Sequence, residues 1–159
     1  MNIEYKDENL FHMTNRDSSG EYQVLRILVN NTGKKVLHNC EAKAEIYQLE
    51  NNDEKLIREP AAILHWSRNI ITIEEQVNIK EEFRPIMINK GDKEFLYVIK
   101  AYNEKFFLFS DRLFKKIGTE YGNGCYYIKL TIFSEDLHKP KVQVFKIKKK
   151  YGFMNINIT

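Results

Sequence analysis

Cys40 and Cys125, with His38 and His65, are the side chains whose types best suit metal or nucleophilic chemistry. His38-x-Cys40 together with His65 and Cys125 offers imidazole and thiolate donors, the set that suits zinc. The spacing matches no finger or ribbon, and Cys40 falls on the apolar side of an alternating segment, so packing is the better reading. A Cys40–Cys125 bridge would need an oxidising compartment, for which the chain carries no signal. A cysteine–histidine nucleophile needs a thiolate held by a base on a rigid elbow, and no such elbow is present. Gly122-Asn123-Gly124 is too short for a phosphate cradle and runs into a strand, whereas phosphate loops open helices. Glu74-Glu75 and Glu81-Glu82 are adjacent pairs, which a strand sends to opposite faces. The expectation is therefore a chain that is not an enzyme, with no metal and no cofactor.

Two other groups bear on binding. In HKPKVQVFKIKKKYG, Lys139, Lys141, Lys146, Lys148, Lys149 and Lys150 crowd together with Phe145 and Tyr151. Lys146, Lys148, Lys149 and Lys150 would make a basic ridge for a phosphate backbone, with aromatics available for stacking. The bland alternative is an edge strand that lysines protect from edge-to-edge pairing. The scarcity of Arg, the better phosphate reader, favours the bland one. The densest aromatic group is Phe106, Phe107 and Phe109, near Tyr102 and Phe114. On a strand Phe107 and Phe109 share one face and Phe106 takes the other, so part of the group is available as a binding surface. Phe106, Phe109 and Leu113 are the expected contact residues. Trp66, the single tryptophan, reads as a core indole rather than an exposed hot spot.

The elements that must hold these residues have a period of two. The chain has 159 residues, room for one domain over 1–159 with a core that needs no staple. Lys and Arg exceed Asp and Glu by 25 to 22, too even a balance for a dedicated nucleic-acid module. No apolar stretch is long enough for a membrane helix, and the acidic start MNIEYKDENLF is no signal peptide, so a cytoplasmic protein is expected.

Ile3 and Tyr5 are expected to begin a first strand that NLFHM continues. Leu25, Ile27 and Val29 share a face of EYQVLRILVNN; Cys40, Ala42, Ala44 and Ile46 share a face of the next strand. Those small residues leave space for something bulky, and Trp66 is the obvious candidate. AAILHW (61–66), Ile70 to Ile73, Glu94 to Tyr102 and KFFLFS (105–110) supply further strands. SDRLFKKIG (110–118) reads as one short helical turn, capped by Ser110 and closed by Gly118. In GCYYIKLTIFSED, Tyr126, Ile128, Leu130 and Ile132 face one way and Tyr127, Lys129, Thr131 and Phe133 the other. In KVQVFKIKK the apolar parity changes between Val144 and Phe145, which predicts a bulge. Roughly eight or nine short strands with almost no helix predict a sandwich or barrel.

RILVNNTGKKVLHNCEAKAEIY resembles the strand–turn–strand pattern of prokaryotic immunoglobulin-like modules, among them bacterial cell-adhesion-related domains. GNGCYYIKLTIFSED resembles the penultimate strand of such sandwiches, with Tyr126 in the place where a hydroxyl ties back to nearby backbone. LHW (64–66) and INKGDKEFLYV extend the likeness. The resemblance implies an all-β, immunoglobulin-like antiparallel β-sandwich. The functional expectation is a non-catalytic interaction module that binds another protein or itself through edge strands and the loops near 50–60 and 103–120. The alternatives are a nucleic-acid-associated domain using the lysine ridge, and a hydrolase or small-ligand binder with its site in the loops at one end of the sandwich.

Overall fold

The computed structural model describes residues 1–6, 11–51, 53–56, 61–67, 83–110 and 118–158, with 53, 54, 56 and 153–158 as backbone. In chain order the strands are β1 (Asn2–Glu4), β2 (His12–Asp17), β3 (Gly20–Asn30), β4 (Leu37–Glu50), β5 (Asp53–Leu56), β6 (Ala62–Ile63) and β7 (His65–Trp66). They continue with β8 (Ile86–Ile88), β9 (Lys93–Ala101), β10 (Phe106–Leu108), β11 (Gly124–Phe133), β12 (Lys141–Lys150) and β13 (Phe153–Ile158).

They form two antiparallel sheets, neither closed into a barrel. One runs β1-β3-β9-β10, with β2 also on β3 and β7 on β9. The other runs β13-β12-β11-β4-β5, with β6 and β8 also on β4. The fold is an all-β sandwich. Among the described residues there is no helix, and none long and apolar enough to cross a membrane. The expected helical turn at 110–118 and the strand at Ile70 to Ile73 fall largely or wholly outside the described residues.

Alternation decides which side of each sheet is dry. Cys40, Ala42, Ala44 and Ile46 of β4 are all buried, as are Tyr126, Ile128, Leu130 and Ile132 of β11. Leu25, Ile27 and Val29 of β3 close the core from the other sheet. The small side chains of β4 make space for Trp66, which is 1% exposed. Its Nε1 donates to the Cys40 carbonyl at 3.1 Å, so the buried indole N–H is satisfied.

The turn Asn31-Thr32-Gly33 is pinned by a buried side chain. Asn31 Nδ2 donates to the carbonyls of Lys35 (2.8 Å) and Ile88 (3.0 Å), and Gly33 N donates to Asn31 Oδ1 at 3.1 Å. Gly91, at a φ of 79°, donates its N–H to Asn31 O at 2.9 Å. The two turns at this end of the sandwich are thereby tied to each other.

Two local expectations are corrected. β12 has no bulge: it pairs with β11 in one unbroken register from Ile132↔Lys141 to Gly124↔Lys149. The parity change arises because Val142 and Val144 sit on the outer face, while Phe145 and Ile147 face the core. The irregularity lies instead in β9. Leu25 is opposite Ile99 but Arg26 is opposite Tyr97, so Val98 is the extra residue. This lets Leu96, Val98, Ile99 and Ala101 all join the core while Tyr97 turns to the other side. AAILHW is not one strand: Ala62–Ile63 pair with β4, and His65–Trp66 pair with β9 in the opposite sheet.

Candidate functional site

The expected contact residues do not form one surface. Phe106 is 0% exposed, edge-on to Tyr126 with ring centroids 5.0 Å apart and 5.2 Å from Tyr121. It is a core residue and cannot touch a partner in this fold. Phe109 is half-buried, stacked at 5.7 Å on His65 and edge-on to Tyr97 at 5.3 Å. Leu113 lies outside the described residues. Phe109 belongs to a second apolar layer on the outer side of the six-stranded sheet. Phe11, Val24, His65, Phe83 and Tyr97 are buried there, outside the shared core. The Arg26 guanidinium lies 4.2 Å from the Phe95 ring centroid. That layer is already covered.

The lysines of β12 divide by the same alternation. Lys148 and Lys150 are exposed and Lys146 half-buried on the outer side, whereas Lys149 points inward and is 2% exposed. The expected ridge of four therefore reduces to Lys146, Lys148 and Lys150. Across the register, Lys146 is opposite Tyr127, and Tyr127 is opposite Tyr47 of β4. Glu45 pairs with Lys129 at 3.3 Å and Glu41 with Lys43 at 3.1 Å on this same face.

At the far end of this face the side chains turn apolar. Phe133 is 38% and Val142 45% exposed. Thr131 is opposite Val142, so Phe133 and Val142 are diagonal neighbours. They line a groove of about 530 Å3 whose rim includes Lys43, Lys129, Lys139 and Glu45. The Lys43 ammonium lies 5.5 Å from the Phe133 ring centroid. The sequence carried the signal for this patch. Phe133 stands on the outward parity of β11, and Val142 does so on β12 once the register is unbroken.

The groups with catalytic character are engaged elsewhere. Ser134, His38 and Asp136 come together, but Ser134 Oγ donates to the His38 carbonyl at 2.6 Å rather than to the imidazole. Asp136 Oδ2 accepts from His38 N at 2.6 Å and faces Nδ1 at 2.9 Å. These hydrogen bonds hold the Asp136 carboxyl below the usual range. The arrangement is a clamp between the start of β4 and the β11–β12 loop, and Asn39 reinforces it by donating to Glu135. Cys40 is buried and its Sγ faces Leu37 O at 3.6 Å. Cys125 is half-buried on the outer face at the other end of the strand pair, so the two thiols are free and cannot meet.

A second polar cluster joins β2 to β9. Asp17 Oδ2 accepts from Tyr102 Oη at 2.6 Å and from Lys100 Nζ at 2.9 Å. Those hydrogen bonds hold the Asp17 carboxyl down at about 2. Burial pulls the Lys100 ammonium the other way, but its bonds to Asp17 and Tyr102 outweigh burial and leave its pKa raised. Its Nζ also sits 4.2 Å from the Tyr22 ring centroid.

Comparison of the chain with protein-family models, with curated proteins and with solved structures gave no match. Function therefore rests on the chemistry of these surfaces, since a sandwich fold hosts many activities.

Proposed function

We propose that the chain is a non-catalytic protein-interaction module. It docks an acidic segment of another protein, one that also carries a large apolar side chain, on the outer face of the seven-stranded sheet. The observation that carries this reading is the pair Phe133 and Val142, exposed side by side in a groove rimmed by lysines. Exposed apolar surface with a polar rim marks interaction sites. Charge selects the occupant. Glu41 and Glu45 answer Lys43 and Lys129, while Lys139, Lys146, Lys148 and Lys150 have no carboxylate paired with them among the described residues. That surplus attracts an acidic chain and disfavours self-association through this face, which would set lysine against lysine. A cytoplasmic setting is part of this proposal.

An immunoglobulin-like relationship is part of this proposal. What supports it is a single core tryptophan together with Tyr126, whose Oη donates to the Gly122 carbonyl at 3.0 Å.

The test is selection of displayed random peptides on the immobilised chain, followed by affinity measurement against Val142→Asp and Lys139→Glu. Support is enrichment of Asp and Glu beside large apolar residues, with binding lost in both variants. Enrichment of basic or neutral peptides, or binding that both variants keep, overturns it.

A second reading has one observation in its favour: Lys146, Tyr127 and Tyr47 stand in line across three strands of an open face. Basic side chains with aromatics suit single-stranded nucleic acid. Three phosphate contacts give a salt slope of about −2, roughly a twentyfold loss between 50 and 200 mM salt. Fluorescence anisotropy on a labelled oligonucleotide measures it, and a flat response removes this reading.

A further inference from the structure

At the end of the sandwich where β3 begins and β9 and β12 finish there is a cavity of about 210 Å3. Tyr22 and Gln23 of β3, Tyr102 and Asn103 after β9, and Lys149 of β12 all line it. The unusual member is Lys149, a charged residue only 2% exposed. Its Nζ donates to the Asn103 carbonyl at 2.7 Å and to its neighbour's carbonyl, Lys150 O, at 2.8 Å. No carboxylate pairs with it among the described residues; Glu21, also on the cavity wall, lies beyond ion-pair reach. Two carbonyl dipoles solvate an ammonium but do not neutralise it. A buried charge without an opposite charge is costly, and a fold that keeps one needs a reason. Burial accordingly pulls the Lys149 pKa down.

The geometry also leaves that charge usable. An ammonium has three N–H donors, and two are spent on carbonyls. The Gln23 and Asn103 side-chain amides and the Tyr22 phenol belong to residues that line the same space and can donate to oxygen, whereas the Tyr102 hydroxyl is already given to Asp17. Gly152 N donates to the Asn103 carbonyl at 3.0 Å, which fixes the turn that holds the ammonium. The site is thus a small, preformed, donor-rich cavity with one positive charge at its wall. Its size suits a compact anion rather than a drug-sized molecule.

We propose that this cavity binds the anionic group of a small ligand, a carboxylate or a phosphate, with Lys149 as its counter-charge. It is separate from the Phe133–Val142 groove, and its ligand is a small molecule rather than a protein segment. A ligand oxygen takes the third N–H of Lys149, and the neighbouring amides and the Tyr22 phenol hold the remaining oxygens. Burying a charge costs free energy that burying an apolar stem does not, so Lys149→Met, which keeps an unbranched apolar stem, is expected to fold with an unchanged or raised urea midpoint.

The test is an NMR titration of the isotope-labelled full chain at constant ionic strength, once with inorganic phosphate and once with succinate. The expected result is saturable shifts at the amides of Tyr22, Gln23, Asn103 and Gly152. In Lys149→Met the affinity is at least about tenfold weaker, the scale of one lost charge-assisted hydrogen bond. Saturation by phosphate alone or by succinate alone assigns the ligand class. Lys149→Gln, which keeps hydrogen bonding without charge, serves as the second variant and is expected to weaken binding likewise. Absence of saturable shifts with both probes overturns the proposal and leaves Lys149 as a clamp between β12 and the Asn103 turn. Equal affinity in the wild type and both variants overturns it too, since the anion would then sit on surface lysines.

Discussion

Asp17→Asn is the substitution whose effect the structure prices most directly. The side chain accepts hydrogen bonds from Tyr102 and Lys100, and its carboxyl is held at about 2 against an ordinary 3.8. Because the folded value is the lower one, the stabilisation is complete above 3.8 and disappears as pH falls through about 2. At about 1.36 kcal/mol per pH unit, the difference of 3.8 minus 2 sets a ceiling of roughly 2.4 kcal/mol. The carboxylate keeps 30% of its surface in water, so screening reduces that to about 1 kcal/mol. The amide also leaves the half-buried Lys100 ammonium without its counter-charge. The expected loss for Asp17→Asn is about 1–2 kcal/mol at neutral pH. Urea denaturation followed by fluorescence of Trp66, the single and buried tryptophan, measures it. The gap between variant and wild type should narrow steadily from about pH 4 to pH 2. Tyr102→Phe removes the strongest of the bonds that depress the carboxyl, so its acid loss should be smaller than in the wild type and be complete at a higher pH. Parallel stability curves for Asp17→Asn and wild type across this range would refute the assignment, as would a difference under about 0.3 kcal/mol at neutral pH.

Trp66→Phe should cost about 3 kcal/mol by urea denaturation followed by circular dichroism, because it leaves a cavity and removes the indole hydrogen bond to the Cys40 carbonyl. A cost under about 1 kcal/mol would show that the core closes around the smaller ring. Tyr126→Phe removes only the hydroxyl bond to Gly122 and should cost about 1 kcal/mol in the same assay. In a thiol titration of native, unreduced protein Cys125 should react and Cys40 should not, and denaturation should release the second thiol. Simultaneous native reaction of both would contradict the burial of Cys40.

What the sequence made legible was the alternation where one face is wet. Cys40 to Ile46 and Tyr126 to Ile132 each read correctly, and the small residues of β4 pointed to Trp66, which does pack against them. Tyr126 likewise makes the backbone bond expected of it. The misreadings fall where both faces of a strand are covered. LYVI in β9 is buried on both sides, so periodicity gave no hint that Val98 is an extra residue. The second apolar layer around His65, Phe83 and Tyr97 hides Phe109 for the same reason. In β12 an apolar outer end, Val142 and Val144, imitates a parity slip, although the register is continuous. Lys149 looks like its neighbours in the sequence because a run of lysines carries no mark of which one points inward. Only the partner strand, with Gly124 opposite Lys149, decides that.

The path of the chain through Leu64 has a mechanical consequence. Within five residues, Ala62 and Ile63 are hydrogen-bonded to one sheet and His65 and Trp66 to the other, and the Leu64 N–H itself donates to Ala42 at 2.9 Å. The two sheets are thus spliced through backbone, not merely pressed together by side chains. Neither can peel away without breaking ladder bonds that both share. Amide protons on β4 and β9 should therefore exchange with solvent through one common opening of the molecule rather than through two separate ones.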